Sequence, residues 1–87
     1  MQYLHNDLGL LDGNEVVEVT LDKAANVRLM DSSNFNRYRK GDSHRCIGGY
    51  VTRSPYRVRV PSAGHWHVAV DLGGYAGSVR AGVRLLG

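Results

Sequence analysis

Apolar and polar residues alternate with period two over several stretches of this chain, the spacing of strands that bury one face. Over residues 15–21, Val17, Val19 and Leu21 fall on one side, with Val16, Glu18 and Thr20 on the other. Residues 26–30 continue the pattern, Val27 and Leu29 inward and Arg28 outward. The cleanest run is 56–60, where Tyr56, Val58 and Val60 share the inner parity and Arg57 and Arg59 the outer, before Pro61 ends it. Next, Trp66, Val68, Val70 and Leu72 oppose His65, His67, Ala69 and Asp71. Last come Val79, Ala81, Val83 and Leu85, opposed by Arg80, Gly82, Arg84 and Leu86.

Between these runs lie turn-forming residues: Asp12-Gly13-Asn14, Ser54-Pro55, Pro61-Ser62-Ala63-Gly64 and Gly73-Gly74-Tyr75-Ala76-Gly77. The exception is residues 31–40, where Asp31 or a following serine caps a helical turn, Phe35 and Tyr38 lie three apart and Gly41 closes the segment. A short helix or ordered loop is expected there. Gly48-Gly49 interrupts the apolar stretch 46–51 and predicts a bulge that re-aims Tyr50. With no βαβ rhythm, the expected fold is all-β: a compact antiparallel β-sandwich, or a relative closing toward a barrel, of about six to eight short strands.

Length changes the picture only by limiting it. The 87 residues suit a single sandwich domain over 1–87 with one small core, too little to enclose a large active-site cavity. Eleven glycines spread along the chain fit frequent turns. Cys46 is the sole cysteine, which excludes an internal disulfide and any multi-cysteine zinc site and favours a reducing compartment. With neither a leader-like start nor a long apolar stretch, the expectation is a soluble, cytoplasmic protein without membrane contact.

Net charge is +3, but it is distributed unevenly. Residues 1–25 are net acidic and 26–87 net basic, and nine of the eleven basic residues are arginine. Arginine forks to two oxygens of a carboxylate or phosphate, so its dominance favours recognition of anions. Arg28, Arg57, Arg59, Arg80 and Arg84 all have the outward parity of their strands, and pairing of neighbouring strands would gather them into a patch. The competing reading pairs them with Glu18, Asp71 and the N-terminal acids as a solvated face of little energetic weight.

Other constellations carry less. His65 and His67 share one face with Asp71 two steps beyond, but a His-x-His pair is short of the three or four ligands of a zinc site unless His5, His44 or Cys46 joins it. No metal and no cofactor are therefore expected. Cys46 and His44 share a face as a nucleophile and base would, although a lone cysteine is more often a small core residue. The glycine-rich 73–77 segment matches no phosphate-loop spacing. The serines lie in turns without a nucleophile motif, and no two acids form a close pair.

Three stretches carry a family resemblance: Asn26-Val27-Arg28-Leu29-Met30-Asp31-Ser32-Ser33-Asn34-Phe35, then Gly48-Gly49-Tyr50-Val51-Thr52-Arg53-Ser54-Pro55, then residues 60–74 with Gly64-His65-Trp66-His67. Over nearly the whole chain they resemble the bacterial domain-of-unknown-function family numbered eighteen eighty-three. The resemblance implies relatives that occur alone or attached to TIR domains, and it brings no activity and no site residues. The Asn-x-x-Leu-x-Asp and Gly-x-Trp-x-Val-x-Val patterns also resemble, loosely, prepeptidase-type sandwiches.

The leading functional expectation is a non-catalytic binding or interaction module whose arginine-bearing face (Arg28, Arg57, Arg59, Arg80, Arg84) meets an acidic protein surface or another anionic ligand. Nucleic acid would bind at most nonspecifically, because Trp66 and Tyr56 have core parity and leave no outward aromatic platform. The alternative is a metal-dependent or acid–base enzyme using His65, His67 and Asp71. A homo-oligomeric role through an exposed strand edge is a third reading.

Overall fold

Seven strands and one helix organise residues 3–86, the part of the chain that the computed structural model describes. They are β1 (Tyr3–Leu11), β2 (Val16–Leu21), β3 (Ala25–Asp31), α1 (Ser32–Lys40), β4 (Ile47–Val51), β5 (Tyr56–Arg59), β6 (Gly64–Asp71) and β7 (Ala81–Leu86). One sheet has the order β1-β6-β3-β4 and the other β5-β2-β7, with every pairing antiparallel. The sheets do not close into a barrel. All connections except β3-α1-β4 cross from one sheet to the other.

The expected inner parities form the core between the sheets. Val17, Val19, Val27, Leu29, Val60, Trp66, Val68 and Val70 are buried in one cluster, against which Leu21, Tyr56, Val58, Leu72, Val79, Ala81 and Val83 pack. Leu85 departs from that pattern and is largely exposed.

The outer parity of β6 is where expectation and structure part. Ala69, His67 and Asp71 are buried, because α1 lies across the outer face of the four-stranded sheet and seals a second core of Met30, Phe35, Tyr38 and Ala69. The molecule thus has three layers: sheet, sheet and helix. Phe35 and Tyr38, spaced to share a helix face, supply the covering surface. Asp31 caps the helix by accepting a hydrogen bond from the Asn34 N–H, and the Gly41 N–H closes the other end on Tyr38. The helix runs nine residues, the short helix expected over 31–40.

The bulge expected at Gly48-Gly49 is absent, since β4 pairs with β3 in unbroken register from Ile47 to Val51. Gly48 answers a different need: a Cβ there would collide with the Val27 carbonyl oxygen of the neighbouring strand. The bulge lies instead in β1, where Asp7 pairs with His67 but Gly9 pairs with Trp66. The Asp7 carboxylate accepts the Gly9 N–H at 2.8 Å and holds that irregularity in place. No helix among the described residues is long and apolar enough to cross a membrane.

Candidate functional site

The exposed face of the three-stranded sheet is built around Glu18 of its central strand. Register places Glu18 opposite Arg57 of β5 on one side and opposite Arg84 of β7 on the other. Arg57 Nε donates to Glu18 Oε2 at 2.9 Å, and Arg84 Nε donates to Oε1 at 2.6 Å. The carboxylate is almost fully buried under the two side chains, while both arginines stay well exposed. The hydrogen bonds from Arg84 and then Arg57 hold the Glu18 carboxyl below the usual carboxylate range.

Each guanidinium spends only its Nε on this bond. Among the described residues the Nη groups of both arginines have no hydrogen-bond partner, and with the stems already held in place they can fork onto an external carboxylate or phosphate. Arg59 lies on the same face, one register step away, opposite Val16, whose other neighbour is Leu86. This second row is an arginine beside two half-buried apolar residues. Arg80 precedes β7, where its backbone N–H donates to Asp22 Oδ1 at 2.8 Å.

Arg28 does not belong to this face. It lies on the outer side of the other sheet, in the helix-covered layer, where its Nε donates to Asp71 Oδ2 at 2.9 Å. The five-arginine patch expected from parity therefore reduces to Arg57, Arg59 and Arg84, with Arg80 near the start of β7. Parity says which residues lie outward on each strand, and the crossing of the chain between sheets decides which layer that is.

Asp71 is a structural hub. Tyr38 Oη donates to its Oδ2 at 2.7 Å, Asn26 Nδ2 to Oδ1 at 2.9 Å and the Gly73 N–H to Oδ1 at 2.8 Å, alongside Arg28. Burial pushes this carboxyl up, but the four donors outweigh it and hold it at about 2. The same burial, with the Asp71 charge beside it, raises the Tyr38 hydroxyl well above its ordinary value. The grouping of His65, His67 and Asp71 expected for the enzymatic alternative does not form, because Asp71 sits two outward positions beyond His67 and is fully engaged there.

Instead, β1 brings His5 and Asp7 to the histidines. His65 Nε2 lies 2.6 Å from Asp7 Oδ1, and His67 Nδ1 lies 2.9 Å from His5 Nε2. The other His67 nitrogen, Nε2, lies 2.8 Å from the Ser32 hydroxyl at the first residue of α1. The Phe35 ring stacks on His5 at 4.1 Å and on His67 at 4.7 Å, between ring centres. Burial pushes His67 below its ordinary value and favours the neutral ring. The Asp7 carboxyl is likewise lowered, first by the Gly9 N–H and then by His65.

His5 was legible from the sequence only as an unplaced histidine, and Asp7 only as one of the N-terminal acids. The signal that could have placed them is Asp7-Leu8-Gly9, a short acid two residues before a glycine, which can form a side-chain-held bulge. His44 and Cys46 do not pair: His44 Nδ1 lies 3.0 Å from the Asp42 carbonyl, and Cys46 packs half-buried against the helix-side core.

A family model, the domain of unknown function DUF1883, matches residues 1–87. No curated protein and no solved structure matches the chain.

Proposed function

The chain belongs to the DUF1883 family, and on that premise we propose that it is a non-catalytic binding module. It recognises an acidic protein surface through the Arg57, Arg59 and Arg84 face of its three-stranded sheet. One observation carries this reading: Glu18 grips two arginines by their Nε atoms and leaves their forked ends outward. The solvated-face reading also pairs these arginines with Glu18, but one carboxylate between two well-exposed guanidinium groups leaves the face with a net positive charge rather than neutralising it. Fixing the stems in advance reduces the side-chain entropy lost when a partner's carboxylate docks.

The apolar pair Val16 and Leu86 beside Arg59 favours a protein over a nucleic acid. Stacking on bases needs aromatic rings, and none of the outward residues of this sheet is aromatic. Arginine alone supports only salt-sensitive attraction to polyanions.

The test compares wild type with an Arg57→Ala, Arg59→Ala double variant, titrated against an acidic peptide, a DNA duplex and single-stranded RNA. This variant leaves Arg84 on Glu18, so the buried carboxylate keeps a partner. Peptide affinity should fall roughly fivefold, the weight of two exposed ion pairs, and wild-type binding should weaken as salt rises. Tight, salt-resistant and sequence-selective binding to either nucleic acid would overturn the reading. Equal behaviour of both proteins toward all three ligands would remove this face as the site.

A further inference from the structure

The β1 bulge gathers donors that the periodicity of β6 alone cannot supply. Asp7, His65 and His67 each offer a ligand atom, and these atoms lie within 4.8 Å of one another. His5 adds a fourth donor, its Nε2 2.9 Å from His67 Nδ1. We propose that His5, Asp7, His65 and His67 form a site for one borderline divalent cation of the zinc class, joining the edge strand β1 to β6.

Donor chemistry comes first. Three imidazole nitrogens and one carboxylate oxygen are a set that zinc accepts in tetrahedral geometry, with bonds of about 2.0 to 2.2 Å and hence ligand atoms about 3.3 Å apart. Here the His65–Asp7 and His67–His5 contacts, at 2.6 and 2.9 Å, are shorter than that, while the spread among Asp7, His65 and His67 reaches 4.8 Å, so the two pairs must also close toward each other by about 1.5 Å. A cation between them would take the place of the shared protons and push each pair apart by a few tenths of an ångström.

The surroundings also favour ligation. A metal-binding histidine ordinarily donates its second N–H to a fixed neighbour, which sets the ring's orientation. Ser32 Oγ can play that part for His67, leaving Nδ1 to the cation. The Gly9 N–H does the equivalent for Asp7 Oδ1. Phe35, stacked on His5 and His67, fixes the planes of both rings. The main adjustment is a closing of the His65–Asp7 pair onto the His5–His67 pair, with a turn of the His65 ring, which lies parallel to that of His67. His65 and Asp7 are exposed, as is His5, and can turn together into the shell beside the buried His67.

The expectation of no metal rested on the shortage of ligands in His65-Trp66-His67. The cross-strand partner removes that shortage. Zinc would act here as a clip, fastening a strand that, among the described residues, β6 alone holds in the sheet.

The test uses the full chain, stripped with a chelator and titrated with zinc while the imidazole signals are followed by NMR. Saturation at one equivalent is expected, with shifts at His5, His65 and His67 and none at His44, which packs against Tyr38 away from the cluster. At a hundredfold excess over the dissociation constant the melting temperature should rise by roughly 10 to 20 °C. An Asp7→Asn, His65→Gln variant, altered only at exposed positions, should lose at least about tenfold in zinc affinity. Should that variant fold poorly, the wild-type titration decides alone. No saturable uptake, parallel shifts at His44, or a folded variant that binds as tightly as wild type would each overturn the proposal.

Discussion

Replacing Asp71 with alanine should cost about 3 to 5 kcal/mol, the range for breaking a buried charge pair by removing one partner. Four donors converge on this carboxylate, and the residue is 1% exposed. Its loss would strand the Arg28 guanidinium and the Tyr38 hydroxyl at the junction of α1 with β3 and β6. A small domain has about 5 to 15 kcal/mol in all. The urea midpoint should therefore fall by a large fraction of its wild-type value, and an unchanged midpoint would mean that the hub carries no weight.

The same residue sets an acid limit. Its carboxyl is held at about 2 in the folded protein, against about 3.9 in an unfolded chain. A depressed carboxylate stabilises the fold fully above the unfolded value, and that contribution disappears as pH falls from about 4 through about 2. The amount is about 2 to 3 kcal/mol. The Asp71→Asn variant cannot titrate there, so its stability should vary less with pH in that window than the wild type's does.

Trp66→Ala is the second large effect, at about 3 to 5 kcal/mol. The ring is nearly buried among Val68, Val70 and the facing sheet, and its Nε1–H donates to the Ser62 carbonyl at 2.9 Å, so truncation leaves a cavity and removes a hydrogen bond that anchors the ring. Circular dichroism is the appropriate measurement, because the substitution removes the chain's single tryptophan and its fluorescence. A cooperative melt near the wild-type temperature would show that the inner parity of β6 does not govern stability.

That parity was legible because Trp66-x-Val68-x-Val70 alternates without interruption and period two is a property of the strand itself. The helix at 32–40 was legible for a similar reason, its cap and closing glycine being local signals. What could not be read was the second use of the central sheet. A polar outer parity ordinarily faces water, and nothing in His67-x-Ala69-x-Asp71 states that a helix thirty residues earlier covers it. β1 was missed because its bulge breaks the alternation at Asp7, and an edge strand with mostly exposed side chains gives little hydrophobic signal. The arginines show the same boundary: outwardness is local, whereas the layer depends on topology, and so Arg57 and Arg84 meet over Glu18 while Arg28 goes to Asp71.

The alternation of the chain between sheets bears on how the protein is made. β1 is made before the other six described strands, yet among the described residues β6 is the one strand it pairs with, Tyr3 lying opposite Asp71. More than fifty residues separate the two strands and must emerge before that ladder can zip, and β2 likewise waits for β7 to flank its second edge. Pairings so distant in sequence give a high contact order and a slow, late-committing search, in milliseconds to seconds rather than microseconds. Until then β1 is an open template for strands of other molecules, and His5, Asn6 and Asp7 in its middle are the polar residues that keep such a strand from cross-pairing.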